Sequence, residues 1–138
     1  MADAVTSQTI QDSDRIAVMK FTNLSDGTGE AAVLKVDIST FSPHSRTGYA
    51  CTSVSINRIW YTTVGMSVDI LWDASVDVPA WTIDGYNFFD FRGIGPLTNN
   101  GAGGVTGDIK FTTVGHSSGD RYTILMEMSK DYAVPVPS

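Results

Sequence analysis

Residues 116–120, which read His-Ser-Ser-Gly-Asp, gather a base, two hydroxyls and a carboxylate in one short segment. These are the residue types of a nucleophilic hydrolase, in which a histidine takes the proton of a serine and a carboxylate orients the histidine. Neighbours in one polar loop cannot usually converge in that way, and the sharp turn that presents such a serine is missing. We therefore interpret the segment as a loop, and we expect no enzyme activity.

A second chemical string begins at Asp26, where the chain reads Asp-Gly-Thr-Gly as it does around aspartic protease nucleophiles. That chemistry needs two carboxylates that share a proton. No Asp-Thr-Gly or Asp-Ser-Gly occurs in the chain to supply a second carboxylate. An Asp-Gly turn between two strands explains the string better.

Metal and phosphate sites are weakly indicated. His44, Cys51 and His116 could supply three ligands, but none of them lies at the spacing of a paired metal motif. Residues 101–107 are glycine-rich, yet neither a lysine nor a predicted helix follows them as in a phosphate-binding loop. We expect no cofactor.

Two acidic pairs could hold a calcium ion by their spacing: Asp12 with Asp14, and Asp73 with Asp77. The glycine and the distal glutamate of a calcium-binding loop are missing from both. Local turn bonding and solubility at strand edges explain them better. We therefore expect no metal.

The composition limits the partners. The chain has 138 residues, a net charge of −6, 42% hydrophobic and 17% charged residues, which suits one folded domain. Its lysines and arginines are scattered singly, so no basic stripe is available for nucleic acid or for an anionic membrane. The amino-terminal residues lack the basic start and apolar stretch of a secretory signal, so we do not expect export by that route.

Apolar and polar residues alternate along the chain, as they do in antiparallel strands with one solvated face. Three runs are clear, at 32–38, 66–73 and 122–129, and weaker ones lie at 15–23, 51–61, 81–83, 87–91 and 108–113. The expected inward residues are Ala32, Leu34, Val36, Ile38, Met66, Val68, Ile70, Trp72, Tyr122, Ile124, Met126 and Met128. The pattern predicts an all-β fold, a single antiparallel β-sandwich of about eight strands resembling a jelly roll.

The two ends differ from the middle. Residues 1–13 are small and polar and 132–138 are rich in proline, so we expect an N-terminal arm and a C-terminal tail flanking a β-sandwich domain at 14–131. Such arms either fray or reach onto a neighbouring subunit. The side chains predicted to contact a partner are Val5, Thr6, Thr9, Ile10, Tyr132, Val134 and Val136.

Aromatic residues suggest another function, because exposed rings on a β-sandwich can stack on sugars. The set comprises Trp60, Tyr61, Trp72, Trp81, Tyr86, Phe88, Phe89 and Phe91. Packing in the core and at a subunit interface is the interpretation we favour for them. Cys51, the chain's one cysteine, is expected to be a reduced packing residue on a strand.

Five segments carry a resemblance to small virion proteins of tailed phages, especially marine and cyanobacterial ones. They are 56–61 (INRIWY), 71–74 (LWDA), 91–93 (FRG), 97–109 (LTNNGAGGVTGDI) and 118–124 (SGDRYTI), and the likeness spans about residues 5–130. The resemblance implies a structural protein of the virion, assembled in the host cytoplasm. The resemblance implies no catalytic residue in this chain.

Within that group, a capsid decoration or cement protein on the outside of an icosahedral head is the expected role. Its partners would be the major capsid protein or another virion subunit, and further copies of itself, most favourably as a homotrimer. A neck or tail adaptor, or another tail structural protein, is the first alternative. A glycan-binding β-sandwich module for host attachment is the second.

Overall fold

A computed structural model describes residues 4–98, 104 and 106–132, and in this part of the chain the fold is all β. Seven strands are described: β1 (Ala4–Asp12), β2 (Ile16–Leu24), β3 (Val33–Val36), β4 (Cys51–Trp72), β5 (Val78–Asp90), β6 (Ile109–Val114) and β7 (Arg121–Tyr132). One turn of 3-10 helix, Ile38–Thr40, follows β3. Every pairing is antiparallel, in the order β1-β2-β7-β4-β6-β3, with β5 also paired to β4. The predicted all-β, antiparallel architecture is confirmed.

β4 turns this one sheet into two packed halves. Its first part pairs with β7 and its last part pairs with β6. β5 pairs with both parts, and the register of this pairing shifts between Thr62 and Ser67. Gly65 lies between the two parts with a φ of +79°, and a Cβ there would come within 2.2 Å of the Asp120 carboxylate. The halves pack face to face, because the rings of Phe21 on β2 and Phe111 on β6 lie 5.2 Å apart although these strands are not neighbours in the sheet.

The predicted inward faces of β4 and β7 are confirmed. The buried residues include Met66, Val68, Ile70, Trp72, Tyr122, Ile124, Met126 and Met128. Burial of each such side chain stabilises the fold by about 1.5–3 kcal/mol, and this is an upper estimate. Alternation alone was therefore sufficient to identify the core face of these strands.

The inward face predicted for the first run is only half right. Val36 and Ile38 are buried, but Ala32 and Leu34 are exposed. β3 is an edge strand of four residues whose pairing with β6 shifts between Leu34 and Val36. This irregularity turns Lys35 inward, where its ammonium pairs with Glu30.

The structure has seven described strands where about eight were predicted. Two pairs of predicted runs each belong to one strand, and β1 was not predicted. The runs predicted at 51–61 and 66–73 are parts of β4, and those at 81–83 and 87–91 are parts of β5. Gly65 and Gly85, both with positive φ, interrupt the alternation without ending the strands. β1 was not predicted as a strand because its sequence lacks an apolar face.

The two ends of the chain lie on this sheet as far as they are described. β1 occupies most of the predicted N-terminal arm, and β7 runs to Tyr132, the first residue of the predicted tail. The domain boundary at 131 and the behaviour of the arm and tail stay predictions. Val134 and Val136 lie outside the described residues.

Cys51 occupies the interior position expected of it. It is buried at the start of β4, and burial raises the pKa of its thiol. None of the helices in the described ranges has the length and hydropathy needed to cross a bilayer.

Candidate interaction surfaces

The residues that suggested hydrolase chemistry are used in loop packing. His116 Nδ1 lies 3.1 Å from the Thr113 hydroxyl, and its Nε2 lies 3.1 Å from the Thr28 carbonyl oxygen. The Asp120 carboxylate accepts a hydrogen bond from the backbone N–H of Ser117 and does not orient the histidine. The geometry is that of two packed turns and lacks the arrangement of a triad.

One of the two acidic pairs that suggested calcium is neutralised within the chain. Asp73 and Asp77 both contact the ammonium of Lys110, at 2.8 and 3.5 Å. Hydrogen bonding to Lys110 lowers the pKa of Asp73. Across the described ranges, no three His, Cys, Asp or Glu side chains gather in a way that could hold a metal ion.

β1 is an edge strand that contributes almost nothing to the core. Its residues from Ala4 to Gln11 are exposed, including Val5 at 47% and Ile10 at 53%. No charged residue or proline occurs between Ala4 and Gln11. Edge strands normally carry such residues because they discourage pairing with other chains. Among the described residues, the outer edge of β1 has no partner strand.

Tyr132, the first predicted contact residue of the tail, is engaged within its own chain. Its hydroxyl donates to the Asp14 carbonyl oxygen at 2.5 Å, and its ring meets His44 edge-on at 5.2 Å. These contacts do not test whether it also meets a partner.

The aromatic residues divide into two sets, and the packing interpretation is correct for one of them. Tyr61, Trp72 and Phe91 are buried, and Trp81 and Phe89 are partly buried against the core. The other three, Trp60, Tyr86 and Phe88, lie on the solvent side of β4 and β5, where Tyr86 and Phe88 are exposed and Trp60 is half-buried. These three do not pack in the core, because side chains alternate along a strand and their neighbours Tyr61 and Phe89 point inward. Their packing at a subunit interface stays a prediction.

Trp60, Tyr86 and Phe88 form a surface that we call the outer aromatic face. The rings of Trp60 and Phe88, which are cross-strand partners, are stacked with centroids 4.8 Å apart at 17°. Tyr86 is 83% exposed and Phe88 43% exposed. A groove of about 440 Å³ runs along this face and is bordered also by Tyr61, Thr62, Asn87, Thr123 and Leu125.

Two ion pairs flank the outer aromatic face. Arg58 binds both carboxylate oxygens of Glu127, and its guanidinium lies 5.2 Å from the centre of the Trp60 ring. Arg92 binds both oxygens of Asp90 at 2.9 and 2.7 Å, which lowers the pKa of that carboxyl to about 2. Each guanidinium thus has its own carboxylate.

Comparison with known proteins gives no family assignment. No family model matches the chain, and no curated protein matches it. A cupin superfamily protein from Desulfitobacterium hafniense DCB-2 is similar in structure at 13% identity and a TM-score of 0.39, over 95% of this chain and 82% of that one. A mutant of a family 29 carbohydrate-binding module matches at 16% identity and a TM-score of 0.40, over 97% of this chain and 100% of that one. Values this low carry no argument about ligand or activity.

Proposed function

We propose that this chain is a non-catalytic structural protein of a tailed-phage particle, a decoration protein that binds and stabilises the outer surface of an icosahedral head. β1 is the observation that carries the proposal. Ordering each residue of a strand costs about 1–2 kcal/mol, yet the side chains of Ala4 to Gln11 bury little apolar surface within the domain. Contact with another subunit would offset that cost and cover the uncharged edge.

The resemblance to small virion proteins supports the same proposal. Segments 56–61 and 71–74 lie on or at the end of β4, the strand shared by both halves of the sandwich, and 118–124 leads into β7 beside it. Three of the five segments therefore lie on or next to these central strands. The net charge of −6 suits a protein displayed at high density without adhering to nucleic acid.

In this proposal Val5, Thr6, Thr9 and Ile10 contact the major capsid protein, another virion subunit or a further copy of the chain, with a homotrimer as the favoured assembly. A neck or tail adaptor could use the same edge. Copy number separates the two, because a shell protein is present at on the order of hundreds of copies and a neck ring at about six to twelve. Quantitative mass spectrometry of purified particles measures it, and absence from particles would end the virion proposal.

Placing lysines on β1 should separate attachment from folding. We expect the double variant Val5→Lys with Ile10→Lys to keep its melting temperature within about 3 °C, since both side chains are already solvated, and to lose most of its occupancy on particles. The measurement is calorimetry of the free protein together with its occupancy by gel densitometry of particles.

The matched control replaces two exposed aliphatic residues elsewhere, Val76→Lys with Ile94→Lys, which adds the same charge away from β1. We expect this control to occupy particles as the unmodified chain does. Deletion of residues 1–10 should likewise lower the occupancy on particles. If the β1 variant binds as tightly as the control, the attachment surface lies elsewhere.

A further inference from the structure

We infer that the outer aromatic face is a binding site for a neutral carbohydrate. This inference goes beyond the proposed virion role and does not depend on it, because β1 lies three strands away from β4 in the sheet order. It extends the glycan-binding alternative to a defined surface. The geometry of the rings, the polar groups beside them and the local charge each support it.

The rings offer an apolar surface that the fold does not use. Natural surfaces rarely leave several large apolar side chains exposed together unless they bind something. Trp60 stacks on the Phe88 ring, and the guanidinium of Arg58 lies 5.2 Å from its centre, so its orientation is set before any ligand arrives. Phe88 and Tyr86 lie two residues apart on β5, about 7 Å along the strand. A ligand that contacts both must therefore extend beyond a single small ring.

A pyranose suits such a surface because one of its faces presents C–H groups while its hydroxyls point outward around the ring. The C–H groups carry partial positive charge and are attracted to the negative face of an aromatic ring. The hydroxyls then need hydrogen-bonding partners at the side. Thr62 lies opposite both Tyr86 and Thr123 in the strand register, and Asn87 borders the same groove. These side chains can each donate and accept hydrogen bonds.

The charges point to a neutral sugar and disfavour an acidic one. Arg58 is paired with Glu127 and Arg92 with Asp90, so neither guanidinium offers an uncompensated charge to a carboxylate or sulfate. A sulfated or sialylated ligand would have to displace a carboxylate from a bidentate pair. The groove of about 440 Å³ lies within the range of small-ligand sites.

The test measures binding of neutral hexasaccharides of β-1,4-linked glucose, mannose and N-acetylglucosamine by calorimetry and tryptophan fluorescence. We expect at least one to bind. Tyr86→Ala and Phe88→Ala should each weaken that binding at least about tenfold, comparable with the loss of a central contact residue. Both residues are exposed enough for the variants to fold, and their melting temperatures should stay close to that of the unmodified chain.

The matched controls are Tyr49→Ala, an exposed tyrosine in the loop before β4, and Ile94→Ala, both expected to bind the sugar normally. Failure of all three hexasaccharides to bind at millimolar concentration would overturn the inference. Sugar binding that persists in the double variant Tyr86→Ala with Phe88→Ala would also overturn it. Self-association of the free chain that these substitutions abolish would overturn it as well. Since β1 is unaltered, loss of sugar binding with normal particle occupancy distinguishes this site from the virion role.

Discussion

Replacement of Glu30 by alanine is expected to lower the free energy of unfolding by about 3–5 kcal/mol, because it leaves a buried charge without its partner. The Glu30 side chain is 5% exposed and forms an ion pair with the equally buried ammonium of Lys35. Its carboxylate also accepts hydrogen bonds from the Asn23 amide at 2.9 Å and the Tyr122 hydroxyl at 2.6 Å. Urea unfolding of the two proteins measures the difference.

Two further variants show which part of Glu30 matters. Glu30→Gln keeps a hydrogen-bond acceptor but removes the charge opposite Lys35, so we expect an intermediate loss. Glu127→Ala removes the chain's other glutamate, whose partner Arg58 is partly exposed, and should cost about 1 kcal/mol or less. If Glu30→Ala costs no more than Glu127→Ala, the ammonium of Lys35 reaches water and the buried pair is not a major source of stability.

Lys130→Met should cost about 3 kcal/mol of the free energy of unfolding, the second large effect. The Lys130 side chain is 0% exposed, and its ammonium donates to Asp12 Oδ1 at 2.6 Å and to the carbonyl oxygens of Ser13 and Ser42 at 2.9 and 3.0 Å. Methionine fills similar space but leaves these three acceptors without their donor. Lys110→Met is the control: its lysine is partly exposed beside Asp73, and the loss should stay below about 1 kcal/mol.

The pH dependence of stability tests the same contact. Burial alone would raise the pKa of Asp12, but the hydrogen bond and charge of Lys130 and the N–H of Ser42 outweigh it and lower that pKa. The contribution of Asp12 to stability is therefore complete above its ordinary value of 3.8 and is lost as the pH falls through the lower folded value. The difference in unfolding free energy between the unmodified chain and Lys130→Met should narrow in this acidic range, while the bonds from Lys130 to the two carbonyl oxygens remain. Parallel curves would contradict the assignment.

The contribution of Lys130 to stability is expected to change at alkaline pH, where it decreases as the pH rises. Burial would lower its pKa, but the hydrogen bond and charge of Asp12 raise it overall. Its contribution is complete below 10.5 and is lost as the pH rises through the higher folded value.

The sequence by itself determined the fold class and much of the core. Side chains of a strand alternate between two faces whatever the tertiary fold, so the pattern from Tyr122 to Met128 predicted a buried face that the structure confirms. The scattered lysines and arginines disfavour nucleic acid as a partner, and this stays a prediction. These conclusions rest on local periodicity and composition, which need no knowledge of what lies across the sheet.

Only the tertiary structure decided which strands are continuous and which side chains meet. The sequence predicted separate runs at 51–61 and 66–73, yet β4 continues through Gly65, since β5 pairs with both of its parts. The inward turn of Lys35 toward Glu30 follows from an irregularity in the pairing of β3 with β6. Trp60 and Phe88 stack because the pairing of β4 with β5 places these residues, which are 28 apart in the chain, opposite each other. Such contacts depend on long-range strand pairing, which the alternation of one strand cannot specify.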